Sequence, residues 1–77
     1  MEVTVKYFGQ IAEITQKKEE TFSYSDGLIS EFIEEVYEKY PGLRSVNFKI
    51  AQSQQLISTE GKITGEELAL LPPFAGG

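Results

Sequence analysis

The sequence predicts an α+β fold in which a mixed sheet is covered on one face by one main helix. Three observations carry this. Apolar residues recur with period two at the start of the chain, with helical period through its middle, and with period two again near its end. At 77 residues the chain is the size of one small domain, 1–77, too short for two cores, and no internal repeat or low-complexity segment interrupts it.

Met1, Val3, Val5 and Tyr7 alternate with Glu2, Thr4 and Lys6, which puts one apolar row on one face of a first strand. Gly9 breaks the run. Ile11 and Ile14 fit either a helical turn or a loop folded over the sheet edge, so the reading of 9–16 stays open. A second strand follows at Thr21–Tyr24, with Phe22 and Tyr24 on one face, antiparallel to the first; Lys17, Lys18, Glu19 and Glu20 before it read as a solvated hairpin end. Asp26 and Gly27 supply an N-cap and a break, after which Ile29, Phe32, Ile33, Val36, Tyr37 and Tyr40 mark an amphipathic helix. Its other face carries Glu31, Glu34, Glu35, Glu38 and Lys39, and Pro41 with Gly42 ends it. Phe48 and Ile50 alternate with Lys49 and Ala51 in a third strand, Leu56 and Ile57 suggest a short fourth, and Glu67–Leu71 is a fifth after a turn at Gly65.

A hairpin, a helix across one face and a strand returning beside the first is the order of the β-grasp, or ubiquitin-like, architecture. A ferredoxin-like fold needs a second long helix, and no second run of helical period is long enough. The expected core packs Ile29, Phe32, Ile33 and Val36 on Val3, Val5, Phe22, Ile50, Leu68 and Leu70.

Composition narrows function by exclusion. Seven Lys and Arg against twelve Asp and Glu give a net charge of −5, the wrong sign for gripping a phosphate backbone, so nucleic acid is not an expected partner. With no Cys and no His, the chain lacks thiolate or imidazole metal ligands, disulfides, cysteine nucleophiles and Ser-His or Cys-His pairs. One Asp is too few for a calcium loop, and no GxxxxGK(S/T) or GxGxxG is present to cradle a nucleotide. Neither a basic leader nor a long apolar run is seen, which predicts no membrane span and a cytoplasmic location. The helix glutamates are most simply a solvated face, and adjacent Glu66 and Glu67 would point to opposite sides of a strand, so neither set makes an acid/base pair.

The carboxyl end is different. Leu68–Leu71 runs straight into Pro72, Pro73, Phe74, Ala75, Gly76 and Gly77. Two successive glycines at a given place arise in roughly half a per cent of chains, so the pair alone is only moderately specific. Context adds to it. The prolines stiffen the exit and cannot extend the sheet, one aromatic follows, and three residues with almost no side chain come last. Such a stalk, 72–77, is expected to be a flexible reactive tail that presents the Gly77 carboxylate to a narrow tunnel in a partner. A free carboxylate is a poor acyl donor and becomes useful once a partner makes it an acyl-adenylate, which is the logic of a carrier protein.

Over nearly its whole length the chain resembles the small, sulfur-carrier subunit of molybdopterin synthase, a ubiquitin-like family. Val5-Lys6-Tyr7-Phe8-Gly9 with Glu13 is similar to the family's opening strand and turn, Tyr40-Pro41 to its helix end, and Gly65–Leu71 to its last turn and strand. The most specific match is Pro72-Pro73-Phe74-Ala75-Gly76-Gly77. Ala12 stands where the family commonly has Arg, Gln52 and Ser53 where an apolar residue and Asn are usual, and Glu66 where Asp is frequent.

The resemblance implies a cycle. A ubiquitin-activating-like adenylyltransferase would activate Gly77 with ATP, a sulfur donor protein would convert it to a thiocarboxylate, and the carrier would insert residues 72–76 into the large catalytic subunit of a heterotetrameric synthase. There sulfur passes to cyclic pyranopterin monophosphate for molybdenum cofactor biosynthesis. The chain itself would bind no cofactor, ATP being used by the adenylating partner, and the catalytic lysines would lie on the large subunit. The dithiolene needs two sulfurs, so two charged carriers would serve each product. The alternatives are a thiamine-type sulfur carrier, which is usually shorter and lacks the Pro-Pro-aromatic stalk, a ubiquitin-like protein modifier, and a β-grasp binding module in which the glycines mean nothing.

Overall fold

The computed structural model describes residues 2–24, 27–53, 55–64 and 67–73. Five strands, β1 (Glu2–Tyr7), β2 (Glu19–Ser23), β3 (Lys49–Gln52), β4 (Gln55–Ile57) and β5 (Glu67–Leu71), form one sheet in the order β2-β1-β5-β3-β4. The sheet is mixed: β1 and β5 run parallel, and every other neighbouring pair is antiparallel. The strand that returns beside β1 is therefore the last one, which places the start of the tail at the centre of the sheet.

The main helix, α2 (Ile29–Lys39), buries Ile29, Phe32, Ile33 and Val36 against Val3, Val5, Tyr7, Ile50, Leu68 and Leu70. The expected core is present, with Phe22 packed at its rim, where its ring meets Phe32 edge-on at 5.3 Å. Ile11, Leu43 and Ile63 complete it. Ile11 belongs to a short helix, α1 (Gln10–Thr15), which settles the segment left open between helix and loop. Leu43 lies in a 3-10 turn at Pro41–Ser45 that continues α2 beyond its cap at Tyr40.

Several local expectations need correction. The N-cap position of α2 is Leu28, in extended conformation; Asp26 lies outside the described residues. The Leu28 N–H donates to the Glu31 carboxylate at 3.1 Å, while the Ile29 and Ser30 N–H groups donate to the carbonyls of Gly61 and Thr59 at 2.8 and 2.9 Å. The β4–β5 loop thus satisfies helix donors that a polar cap would otherwise serve. The second strand begins at Glu19 rather than Thr21, and Glu20, read from sequence as part of a solvated end, has a side chain only 8% exposed. Met1, Gly65 and Glu66 lie outside the described residues.

Two departures from the family pattern have structural reasons. Gln52 clamps the loop before β5: its Nε2 donates to the Lys62 carbonyl and its Oε1 accepts from the Thr64 N–H, both at 3.0 Å. Ser53 sits at φ +52°, the left-handed region that Asn also tolerates, at the β3–β4 turn. Ala12 is half-buried against the core.

Candidate functional site

The sheet face away from α2 is organised around the exit of the tail. Strand alternation puts Lys6, Ala69, Ala51 and Leu56 on this face, and the register aligns them in one row across β1, β5, β3 and β4. The two alanines make a low floor. Phe8, Leu56 and Leu71 rise around it, and together with Lys6 and Glu67 these residues line a concavity of about 470 Å³. Phe8 is 42% exposed and Leu56 62%, so two large apolar side chains stand in water on either side of that floor.

Polar groups border the patch rather than fill it. The Lys6 ammonium and Glu67 carboxylate pair at 3.2 Å across β1 and β5, and Thr4 and Thr21 meet beyond them at 3.4 Å. An exposed pair of this kind adds little stability. Its effect is to neutralise charge at the edge of an apolar surface.

β5 ends at Leu71 beside this concavity, and Pro72 leaves it half-buried against Gly9, with Pro73 exposed. Of the predicted site residues, the structure therefore brings Pro72 and Pro73 to the foot of the apolar face. Phe74, Ala75, Gly76 and Gly77 lie outside the described residues. Sequence reasoning missed Leu56 as a site residue because it gave only the strand assignment. The available signal was that Leu56 and Ile57 follow the polar run Gln52–Gln55, so that in a strand one of the two must point away from the core.

No acid/base constellation lies at this face among the described residues. Among the described residues no three Asp or Glu side chains gather as a metal site would require, and no helix is long and apolar enough to cross a membrane. Glu20, the one carboxyl with a resolved pKa shift among the described residues, lies elsewhere, between β1, β2 and the end of α2. Burial alone would raise it, but hydrogen bonds from Lys39, Tyr40, Tyr7 and Lys17 outweigh that effect and hold it at about 2. Burial, then the bond to Glu20, pushes both tyrosine hydroxyls upward, so they remain donors at neutral pH. This cluster is structural: its carboxylate is fully occupied by donors from its own chain.

A mixed five-stranded sheet covered by one main helix, with its last strand central and a short apolar face at that strand's end, defines a ubiquitin-like protein of the β-grasp class. The comparisons narrow this further. No protein-family model matches the chain. It is 30% identical over 83 residues to a molybdopterin synthase sulfur carrier subunit of Chlamydomonas reinhardtii, covering all of both chains, and so belongs to the molybdopterin synthase sulfur carrier subunit family. The solved structure of a candidate molybdopterin converting factor, subunit 1, from Pyrococcus furiosus superposes with a TM-score of 0.88 at 17% identity, over 96% of this chain and 99% of that one. A complex of subunits 1 and 2 of the molybdopterin-converting factor from Helicobacter pylori contains a chain that matches at a TM-score of 0.69 and 26% identity, with full coverage of both.

Proposed function

We propose that the chain carries sulfur as a thiocarboxylate on Gly77 and delivers it to cyclic pyranopterin monophosphate in the large subunit of molybdopterin synthase. The observation that carries this reading is the apolar concavity between Phe8 and Leu56 at the foot of the tail. A surface of that kind beside a Pro-Pro exit suits a partner that must hold the domain while the tail enters its active site. The subunit 1 and 2 complex of the Helicobacter pylori relative supports a large-subunit partner of this type.

In this reading the Gly77 carboxylate attacks the α-phosphate of ATP on an adenylyltransferase, releasing pyrophosphate. Hydrosulfide provided by the sulfur donor then attacks the acyl carbon, forming the C–S bond as the C–O bond to AMP breaks and AMP leaves, which gives the thiocarboxylate. Within the large subunit the sulfur passes to the pterin, and hydrolysis of the acyl–sulfur intermediate returns the carboxylate. The chain acts as a recycled co-substrate, and the base and acid for each step come from its partners. Residues Pro72 to Gly76 supply reach and a slim profile.

Incubation with an adenylating enzyme, ATP and sulfide, followed by mass spectrometry, tests the reading. It requires exchange of one oxygen for sulfur at Gly77. A chain that is never converted, or that is converted and supports thiazole formation but no molybdopterin, contradicts it.

A further inference from the structure

We propose that Gly9 is a positioning residue for the tail: the missing side chain leaves a notch in which the Pro72 ring lies, and this contact sets the direction in which the chain leaves β5. The geometry stands by itself, while its consequence for catalysis rests on the sulfur-carrier reading above.

Gly9 has φ +58° and ψ −134°, a combination open only to glycine. A Cβ at this position would stand 2.8 Å from Pro72 Cγ, with Cδ and Cβ of the same ring at 3.8 and 3.9 Å. Carbon atoms in contact keep about 3.5–4.0 Å, so one side would have to move. Neither side moves easily. The proline ring is rigid, and Leu71 before it is held in register with Lys49 of β3. On the other side the Gly9 carbonyl accepts the N–H groups of Ala12 and Glu13 at 3.0 and 3.3 Å, and the Phe8 N–H donates to the Leu70 carbonyl at 3.3 Å.

The β1–α1 corner and the exit of β5 are therefore two rigid pieces meeting across a contact that any side chain would obstruct. The start of α1 would by itself account for a glycine at positive φ. It would not account for a proline ring as the nearest matter to the absent Cβ. Gly77 lies five residues beyond Pro72, at most roughly 18 Å of extended chain, so the direction set at the root decides which volume the tip can reach.

A double-mutant cycle in the full chain tests this, using Gly9→Ala, Pro72→Gly and the pair. Thiocarboxylated protein, the large subunit and the cyclic pterin precursor give kcat and KM for sulfur transfer, and proton NMR of the wild type looks for a nuclear Overhauser contact between Gly9 Hα and the Pro72 ring. The proposal expects that contact, a loss of at least about tenfold in kcat/KM for each single variant, and a double variant no worse than the poorer single one. A glycine needed only for the helix start gives losses that multiply, which overturns the proposal, as does Gly9→Ala with wild-type transfer. Should Gly9→Ala not fold, Pro72→Gly decides, and wild-type transfer by that variant overturns the proposal. If wild-type thiocarboxylate yields no product, the sulfur-carrier reading fails, and the notch stands or falls on the Gly9–Pro72 contact.

Discussion

Tyr7 of β1 and Tyr40 at the end of α2 meet edge to face, ring centroids 6.1 Å apart, and both donate their hydroxyls to the same oxygen, Oε1 of Glu20, at 2.9 and 2.8 Å. The other carboxylate oxygen accepts from Lys17 at 3.2 Å and from Lys39. One nearly buried carboxylate thus ties β1, β2, the α1–β2 turn and the C-terminal end of α2 together.

Glu20→Gln is expected to lower stability at neutral pH by roughly 1–3 kcal/mol, since charge-assisted bonds to two tyrosines and two lysines are weakened. The pH dependence carries the sign. A carboxyl held at about 2 in the folded protein, against an ordinary 4.5, contributes stability that is fully present above pH 4.5 and is lost as pH falls toward 2. Urea melts of wild type and variant across that window check it: the two stabilities should converge at acid pH, and a constant gap would contradict the assignment.

Phe32 has no exposed surface and touches the rings of Phe22 and Tyr24 edge-on at 5.3 and 5.0 Å. Phe32→Ala removes the largest fully buried side chain and should cost about 3–5 kcal/mol, a large share of the stability of a domain this size. Thermal or denaturant unfolding gives the value directly. An unchanged midpoint would mean the helix face is wrongly assigned.

Leu56 separates docking from folding. At 62% exposure its replacement leaves the core intact, so Leu56→Glu should shift the melting midpoint little. On the proposed docking face the same change should weaken association with the large subunit by about 1–3 kcal/mol, roughly fivefold to 150-fold. Calorimetric titration of wild type and variant measures it. Equal affinities would move the docking surface elsewhere.

Much of this arrangement was legible because the chain uses uninterrupted periods where it matters. Period two at Val3, Val5 and Tyr7 and again at Leu68 and Leu70, with helical period between, was enough for the sheet, the helix and their contact. Leu43 and Ile63 are isolated apolar residues in polar loops, and period says nothing about a single residue. Glu20 was misread because charge was weighed and parity was not: it shares its strand face with Phe22 and Tyr24, which directs it inward beside Tyr7 and Tyr40. The chemistry expected of the tail rests on its composition together with the family resemblance, and Phe74 to Gly77 lie outside the described residues. The concavity at the foot of the tail was not legible, since it depends on Ala51, Ala69 and Leu56 coming into register from three strands.

The central claim is that Gly77 carries the transferred sulfur. Its most direct test supplies thiocarboxylated full-length chain, the large subunit and cyclic pyranopterin monophosphate, and measures molybdopterin formed, beside a chain from which Gly77 has been deleted. The account predicts product from the intact thiocarboxylate and none from the deletion, with the two proteins equal in fold and melting midpoint, because only the reacting atom is displaced. Product from the chain lacking Gly77 would contradict it.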